Sequence, residues 1–489
     1  GSDGTKEPLT VSGEFEVTSA DGIDAFELDL SSNPIPNLKS GGEEVTLSQD
    51  ASASTADALV YVGQTPGGVT VFTLTLHQDG KYDFELSGQL DHAVNSDEVL
   101  LNLPVKITDG DNDTITATLP VTIVDDKPTI DAISSDSTLS VDEDDIPSQG
   151  SDDTPESNII GGNFDVTDGA DSIVSFQLDS LTSPVSGLTS GGQSLVMVEV
   201  SNAGGVSVYE ARIDGTTTPV FRVTLDASDD SYTFDLLAPL DHPNADGQNE
   251  LIINLPINAT DFDGDVSNNI TLPITVVDDV PTIDGLLAGS EQTVDEDDLP
   301  AGTDAASAED TVISGTFDIT EGADQVASIQ LSDLTTPVAS LTSDGEAITL
   351  VLSSSANGVN VYQGVAGNPA EVVFELTLDA TNNSYEFDLQ KPLDHPDGNQ
   401  QNEIVINLPV TATDNDGDIS PAFTLPITVV DDVPVVTNIE SLRVDEDDLP
   451  LGSDGTKEPL TVSGEFEVTS ADGIDAFELD LSSNPIPNL

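Results

Sequence analysis

The chain has no cysteine, no tryptophan, one methionine, four histidines and ten lysines plus arginines in 489 residues. Without cysteine, neither disulfides nor thiolate metal sites can staple the fold, so stability must come from packing and from hard cations. The ten basic residues stand against 92 aspartates and glutamates, a formal net charge of −82. Phosphate backbones and anionic lipid heads are held by clustered Lys and Arg, and no such patch can form here, which excludes nucleic-acid and membrane-surface roles. No apolar run approaches the roughly 18 residues of a membrane span, and no N-terminal stretch has the charged-then-apolar build of a secretory signal. Any address is expected outside this segment.

High net charge with few apolar residues would point to disorder, but the pattern argues for a folded chain. Apolar residues come in short alternating runs bounded by Gly, Pro, Asn and Asp, as half-buried strands do. Phe221, Val223 and Leu225, then Tyr232, Phe234 and Leu236 after a Ser/Asp turn, are one example. Sustained helical periodicity is hard to find. The expectation is an all-β chain of roughly three domains of about 150 residues each.

Internal repetition dominates the sequence. Val141-Asp142-Glu143-Asp144-Asp145 recurs from Val294 and from Val444, at spacings of 153 and 150. Leu90-Asp91-His92 returns at Leu240 and Leu393, and Thr108 to Asp113 returns at Thr260 to Asp265 and at Thr413 to Asp418. Val124-Asp125-Asp126-Lys127-Pro128 returns at Val277 to Pro281 and Val430 to Pro434. Residues 1–38 reappear unchanged at 452–489, as expected of a window taken from a longer array. Boundaries placed at the linker prolines, which end one strand and stiffen the step to the next, give a first repeat at 1–127 lacking its opening strand. Full repeats follow at 128–280 and 281–433, with a partial repeat at 434–489.

If consecutive strands of each repeat alternate in direction, every loop can be assigned to one end of an antiparallel sandwich. The Leu-Asp-His turn, the Val-x-Glu segment and the closing Val-Asp-Asp fall at the base. The Asp-x-Asp-Gly-Asp loop and the acidic loop before it fall at the top. Stacking base on top gathers Glu143, Asp241, Asp278 and Asp279 with Glu321, Asp324, Asp414, Asp416 and Asp418 at the junction of the full repeats. The same phase brings Asp91, Asp125 and Asp126 to Asp168, Asp171, Asp261, Asp263 and Asp265, and leaves Asp109, Asp111 and Asp113 at the top of the first repeat. So many carboxylates repel unless a cation lies among them. Ca²⁺ suits them, because it takes six to eight oxygen ligands in flexible geometry and Asp-x-Asp-x-Asp loops supply oxygens at alternating positions. Several ions per repeat are expected. The plainer reading, a solvated acidic surface, must hold for many of the other acids.

The order Val-x-Glu, Leu-Asp-x, Ala-Thr-Asp-x-Asp-Gly and Val-Val-Asp-Asp-x-Pro resembles the cadherin pattern of Ig-like sandwiches with inter-domain calcium sites. The resemblance implies that Glu143, Asp241, Asp278 and Asp279 are base ligands of the first full repeat, and Glu296, Asp394, Asp431 and Asp432 those of the second. The sequence departs from that pattern in its Leu-Asp-His turn, its shorter linker and its longer period, the surplus falling between the third strand and the Tyr/Phe hairpin. Over its whole length the chain is similar to the tandem extender repeats of giant bacterial adhesins exported by type I secretion (RTX adhesins), with their Val-Asp-Glu-Asp-Asp-Leu-Pro starts. That resemblance implies an elongated, monomeric, calcium-stiffened rod at the bacterial cell surface, whose partners are its own neighbouring repeats and which holds an adhesive tip away from the outer membrane.

Two rival functions compete with this reading. The histidines are His77, His92, His242 and His395, three of them in the Leu-Asp-His turn. Neighbours on a turn point apart and no nucleophile motif recurs beside them, so catalysis is not expected; the histidines instead cap a turn or pack at the junction. A carbohydrate-binding module would favour exposed Trp and Tyr, yet Tyr82, Tyr232 and Tyr385 start a core hairpin. Calcium-assisted ligand binding stays as the alternative, seated in variable segments such as Ser186 to Arg212. Pro104, Pro256 and Pro409, with Pro120, Pro273 and Pro426, interrupt strands and are expected at edges or bulges.

Overall fold

A computed structural model describes residues 9–480, save 32–33, 94–95, 97, 135–138, 148–149, 152–156, 243–247, 305–310 and 397–400. Among the described residues every regular element is a β-strand or a three-residue 3₁₀ turn. No helix is long and apolar enough to cross a membrane. The chain forms two compact units, one running to Asp142 with Glu156–Leu240 and Leu251–Val276, the other made of Glu143–Pro155, Asp241–Glu250 and the chain from Val277.

The third repeat, in the second unit, gives the plan. A six-stranded sheet has the order Thr282–Leu286, Val312–Thr320, Ser384–Leu389, Glu371–Asp379, Val359–Ala366, Thr349–Ala356. A four-stranded sheet has the order Thr293–Asp295, Phe423–Val430, Glu403–Asp414, Val326–Leu331. The alternating pattern does the sorting, because successive side chains of a strand face opposite sides. In Glu371–Asp379, Val373, Phe374, Leu376 and Leu378 are buried. Across the hairpin Leu376 stands opposite Phe387 and Phe374 opposite Leu389, and the Phe374 and Phe387 rings stack at 5.1 Å. Phe221 and Phe234 stack equally at 5.1 Å, and Phe72 and Phe84 at 5.2 Å, in the first unit. Gly364 lies opposite Phe374 because the ring occupies its side-chain space: a Cβ there would stand 2.4 Å from the ring.

In the first unit, the second repeat has a seven-stranded and a four-stranded sheet in the same order, and the first repeat has five and three strands. Between the third strand and the Tyr/Phe hairpin lies an outer hairpin, Gln193–Ala203 with Val206–Ile213, which widens the larger sheet. All six tyrosines belong to the frame. Tyr232 and Tyr385 are buried at the hairpin start, while the Tyr61, Tyr209 and Tyr362 hydroxyls accept the backbone amides of Leu28, Leu178 and Leu331.

Two features differ from expectation. The opening segment of a repeat is two strands: Thr282–Leu286 pairs antiparallel in the larger sheet, whereas Thr293–Asp295 crosses to the smaller sheet and pairs parallel with Thr428 to Val430. Five of the six prolines expected at edges or bulges instead lie within internal strands, and Pro120 lies in Thr114–Val124, an edge strand of the three-stranded sheet. Pro104, Pro256 and Pro409 sit where the neighbouring strand leaves the sheet, and each carbonyl accepts the amide of the first residue beyond it, Asp29, Asp179 or Ser332, at 2.8 to 2.9 Å. The missing proline N–H thus faces the end of the neighbouring strand, where at most the last bond of the ladder is lost.

The duplicated 38 residues show how far pairing depends on partners. In complete repeats one strand does two jobs: Ile159–Thr167 pairs Ser231 to Asp235 with its first half and Thr129 to Ser134 with its second. In the first repeat Thr10–Glu14 pairs the hairpin strand Lys81–Leu86, and Phe15 to Thr18 is not strand. In the partial repeat the identical Phe466–Thr469 pairs Val435–Ile439, and Thr461 to Glu465 is not strand. Each copy folds the half whose partner is present.

Candidate metal centres

The Val-Asp-Glu-Asp-Asp-Leu-Pro motif builds one side of each centre. In the third repeat Val294 and Leu299 enter the core, and Glu296–Asp298 form a 3₁₀ turn capped by the Asp295 side chain on the Asp297 amide. That turn swings Glu296 inward, fully buried, where Oε1 accepts the Leu393 amide at 2.7 Å and lies 3.2 Å from His395 Nε2. In the partial repeat the equivalent Val444 is 57 % exposed.

The Asp-x-Asp-Gly-Asp loop builds the other side. Asp414 Oδ1 accepts the amides of Gly417 and Asp418 at 2.9 and 2.7 Å, and Asp261 does the same for Gly264 and Asp265 at 3.1 and 2.8 Å. The turn needs φ of +101° at Gly264 and +107° at Gly417, which only glycine adopts without strain, and Asn112 stands there at +71° in the first repeat. Each loop thus spends one oxygen of its first aspartate on itself. The second oxygen, Oδ2 of Asp261 or Asp414, is buried without a partner.

In the second unit the two sides meet. His242 donates its backbone amide to Asp416 Oδ2 at 3.0 Å, and Asp278, Asp324 and Asp416 offer oxygens within 4.8 Å of one another, as do Glu143, His242 and Asp278. Burial pushes the Asp278 carboxyl up to about 9; His242 opposes the rise, while Asp418 and Asp416 add to it. Asp324 is pushed up to about 8 by burial and then by Glu143, Asp416, Asp414 and Asp241. Asp414 reaches about 7, by burial and by Asp416. Oδ1 of Asp278, Oδ2 of Asp324 and Oδ1 of Asp416 are buried and have no partner. Asp279 is turned to the linker instead, accepting from Ser151 and from the Ala323 amide.

The first unit repeats this arrangement. His92, Asp125 and Asp263 group together, with the His92 amide on Asp263 Oδ2 at 2.9 Å. Asp125 is pushed up to about 7 by burial and Asp265, Asp261 to about 6 by burial and Asp263, and Asp171 to about 6 by burial, Asp263, Asp91 and Asp126. Here Lys127 replaces the valine of the other linkers and brings Nζ to 3.9 Å from Asp265. At the third centre Glu296, His395 and Asp431 group, and Asp432 accepts from Thr303 Oγ1 and the Ala471 amide.

Most of the acids read from the sequence are drawn together, but not all. Asp168 is exposed and faces Asp230. Glu321 is exposed and bonds to Asn383. Asp394 is exposed, with Oδ2 accepting the Gly345 amide at 2.8 Å, and Asp91 holds Gly42 in the same way. Asp109 and Asp111 group with Asp21 in an open loop, and Asp113 is exposed beside them. Sequence reading missed Asp21, and with it Asp472, whose carboxyl is pushed up to about 6 by desolvation, Glu296 and Asp431 although the residue as a whole is exposed. Their signal was phase: Asp21 precedes Ile23 by two residues, as Asp171 precedes Ile173 and Asp324 precedes Val326. Also missed were Asn249 and Asn402, which link each histidine to Asp278 or Asp431.

The molecule is thus a tandem of antiparallel β-sandwich repeats with buried acidic centres where repeats meet inside each unit. The chain belongs to the family described as a domain of unknown function (DUF5801), whose model matches residues 138–272 and 291–424, together more than half of its length. No curated protein matches it. Among solved structures it is similar to Drosophila N-cadherin EC1-3, at 14 % identity over 73 % of this chain and 84 % of that one, with a TM-score of 0.21. The protocadherin GammaB4 extracellular domain matches at 13 % identity and a TM-score of 0.24 over 89 % of this chain and 48 % of that one, so this chain spans about half its length. The D00-D0 domain of intimin matches at 13 % identity over 61 % and 98 %, with a TM-score of 0.17. At these TM-scores the likeness carries no functional argument.

Proposed function

We propose that this chain is a structural extender: repeats of a large bacterial surface adhesin, stiffened by Ca²⁺ at the acidic centres, which hold an adhesive tip away from the cell. The observation that carries this reading is the set of buried carboxylate oxygens without partners, on Asp261, Asp278, Asp324 and Asp414. A charged oxygen removed from water needs a hydrogen bond, a proton or a cation, and leaving it bare costs about 1–3 kcal/mol or more. A donor set made almost wholly of carboxylate oxygen suits a hard cation with many ligands. Asp278, Asp324, Asp414 and Asp416 would hold the ion at the second centre, and Asp125, Asp261 and Asp263 at the first. Bound ions would cancel the repulsion at each junction. Outside the cell, where calcium is abundant, this would fold and align repeats that repel one another without it. Catalysis has no part in the reading, and the expected partners are the chain's own neighbouring repeats.

Isothermal titration of Ca²⁺ into metal-stripped protein tests this. Saturable uptake of at least one ion per centre, reduced by Asp278→Asn and Asp414→Asn, supports the proposal. Unsaturable uptake that sodium chloride abolishes equally in wild type and variants would refute it.

A further inference from the structure

Each Leu-Asp-His turn places an imidazole where a calcium site has no use for one, because nitrogen is a poor donor for that ion. His242 Nδ1 lies 3.1 Å from Asn249 Oδ1, and His395 Nδ1 lies 3.0 Å from Asn402 Oδ1. The amides are oriented by their other ends: Asn249 Nδ2 donates to Asp278 Oδ2 at 3.1 Å, and Asn402 Nδ2 donates to Asp431 Oδ2 and the Pro396 carbonyl. Each Asn oxygen is therefore an acceptor, so the Nδ1 facing it carries the proton. The lone pair of a neutral ring then sits on Nε2. It points at a carboxylate: Nε2 of His242 is 3.4 Å from Glu143 Oε1, and Nε2 of His395 is 3.2 Å from Glu296 Oε1.

Two electron-rich atoms so placed need something positive between them. A proton would draw them to the roughly 2.7–2.9 Å of a charged hydrogen bond. Two ligands held about 2.0–2.1 Å from a tetrahedral metal stand about 3.3 Å apart. At 3.4 and 3.2 Å the two atoms can share either a proton or a metal, so the remaining donors decide. A third donor is at hand in each case, since Asp278 or Asp431 brings an oxygen within 4.8 Å of the other two ligand atoms. Asp278 Oδ1 and Glu296 Oε2 are fully buried on 0 %-exposed residues and have no partner. The Asn that fixes the ring tautomer plays the part that outer-shell partners play for metal-bound histidine.

We propose that Glu143, His242 and Asp278, and likewise Glu296, His395 and Asp431, form a second class of site that takes a borderline divalent transition metal such as Zn²⁺. Carboxylate and imidazole together favour such an ion by ligand softness. The proposal does not require calcium; Asp278 would be shared between neighbouring ions where both are present. His92 lies in a related group with its ring turned, Nδ1 facing Asp125 at 3.1 Å.

The test is Zn²⁺ titration of the full chain in saturating Ca²⁺, followed by calorimetry and by the imidazole ¹⁵N resonances. Expected are saturable Zn²⁺ uptake, movement of the Nε2 resonances of His242 and His395 with Nδ1 still protonated, and loss of that uptake in the double variant His242→Gln, His395→Gln. Asn249→Ala and Asn402→Ala should weaken Zn²⁺ binding by about 10–100-fold. Unmoved Nε2 resonances in the wild type, or undiminished Zn²⁺ uptake in the double variant, would overturn the proposal and leave each histidine an imidazolium paired to its glutamate. Calcium uptake measured on the same samples reports separately on the proposed function.

Discussion

Replacing Asp414 by Asn stabilises the metal-free state and removes stabilisation that calcium supplies. Oδ1 of Asp414 holds the amides of Gly417 and Asp418, and an amide oxygen retains both bonds. What the substitution removes is the charge at Oδ2, which is buried and has no partner, beside Asp416. At pH 8, above the value of about 7 to which the Asp414 carboxyl is pushed, the metal-free protein is relieved of about 1–3 kcal/mol. With roughly 2–4 °C per kcal/mol for a domain of this size, the Tm in EDTA rises by roughly 2–12 °C. In Ca²⁺ at a hundred times Kd an occupied site adds about 2.7 kcal/mol. A variant that no longer fills its site loses that contribution but keeps the relief, so the rise in Tm between EDTA and Ca²⁺ shrinks by roughly 5–11 °C relative to wild type. The assay is a calorimetric scan of both proteins in both buffers. Asp109→Asn is the control, because that loop is open and hydrogen bonds, first from Asp111, hold the Asp109 carboxyl below its usual range, so no rise in EDTA is expected. A calcium-induced rise in Tm as large in Asp414→Asn as in wild type would refute the reasoning.

Three further outcomes follow from the geometry. Because Asp278, Asp324 and Asp414 titrate near about 9, 8 and 7 in the folded chain and near 3.8 unfolded, the native state holds extra protons between. In EDTA, stability measured by urea melts should therefore fall as pH rises from about 4 to about 9, and saturating Ca²⁺ should flatten that slope. Tyr362→Phe strips the Leu331 amide of its acceptor and should cost about 1–3 kcal/mol by the same melts, with calcium affinity unchanged. Gly364→Ala drives a Cβ against the Phe374 ring and should cost about 1–3 kcal/mol through overpacking.

Much of this was legible because period 2 and a period of about 150 residues are both written in the sequence. The hairpin of Phe374 and Phe387, the Asp414 loop and the buried Glu296 follow from alternation, glycine placement and phase. What was hidden depends on partners distant along the chain. The residues of an opening segment do not reveal that it divides between two sheets, since only the neighbours they meet decide it; Thr282–Leu286 settled on Val312–Thr320 and Thr293–Asp295 on Phe423–Val430. The duplicated segment makes the same point more strongly, with identical residues pairing through Thr10–Glu14 in one copy and Phe466–Thr469 in the other. Asp168 and Glu321 carried the right chemistry at nearly the right phase, but each lies three residues ahead of the aspartate that the loop turns inward, Asp171 or Asp324. Asn249 and Asn402 lack any signature except their distance of seven residues from a histidine.

Small-angle scattering of the whole chain, in about 5 mM Ca²⁺ and again after EDTA, tests the central claim most directly. The account predicts a stiff, extended particle in calcium that softens or swells when the ion is removed and recovers when it is restored. Superimposable profiles in the two buffers would contradict it, and would leave the acidic centres as protonated or solvated charge with no part in holding the repeats together.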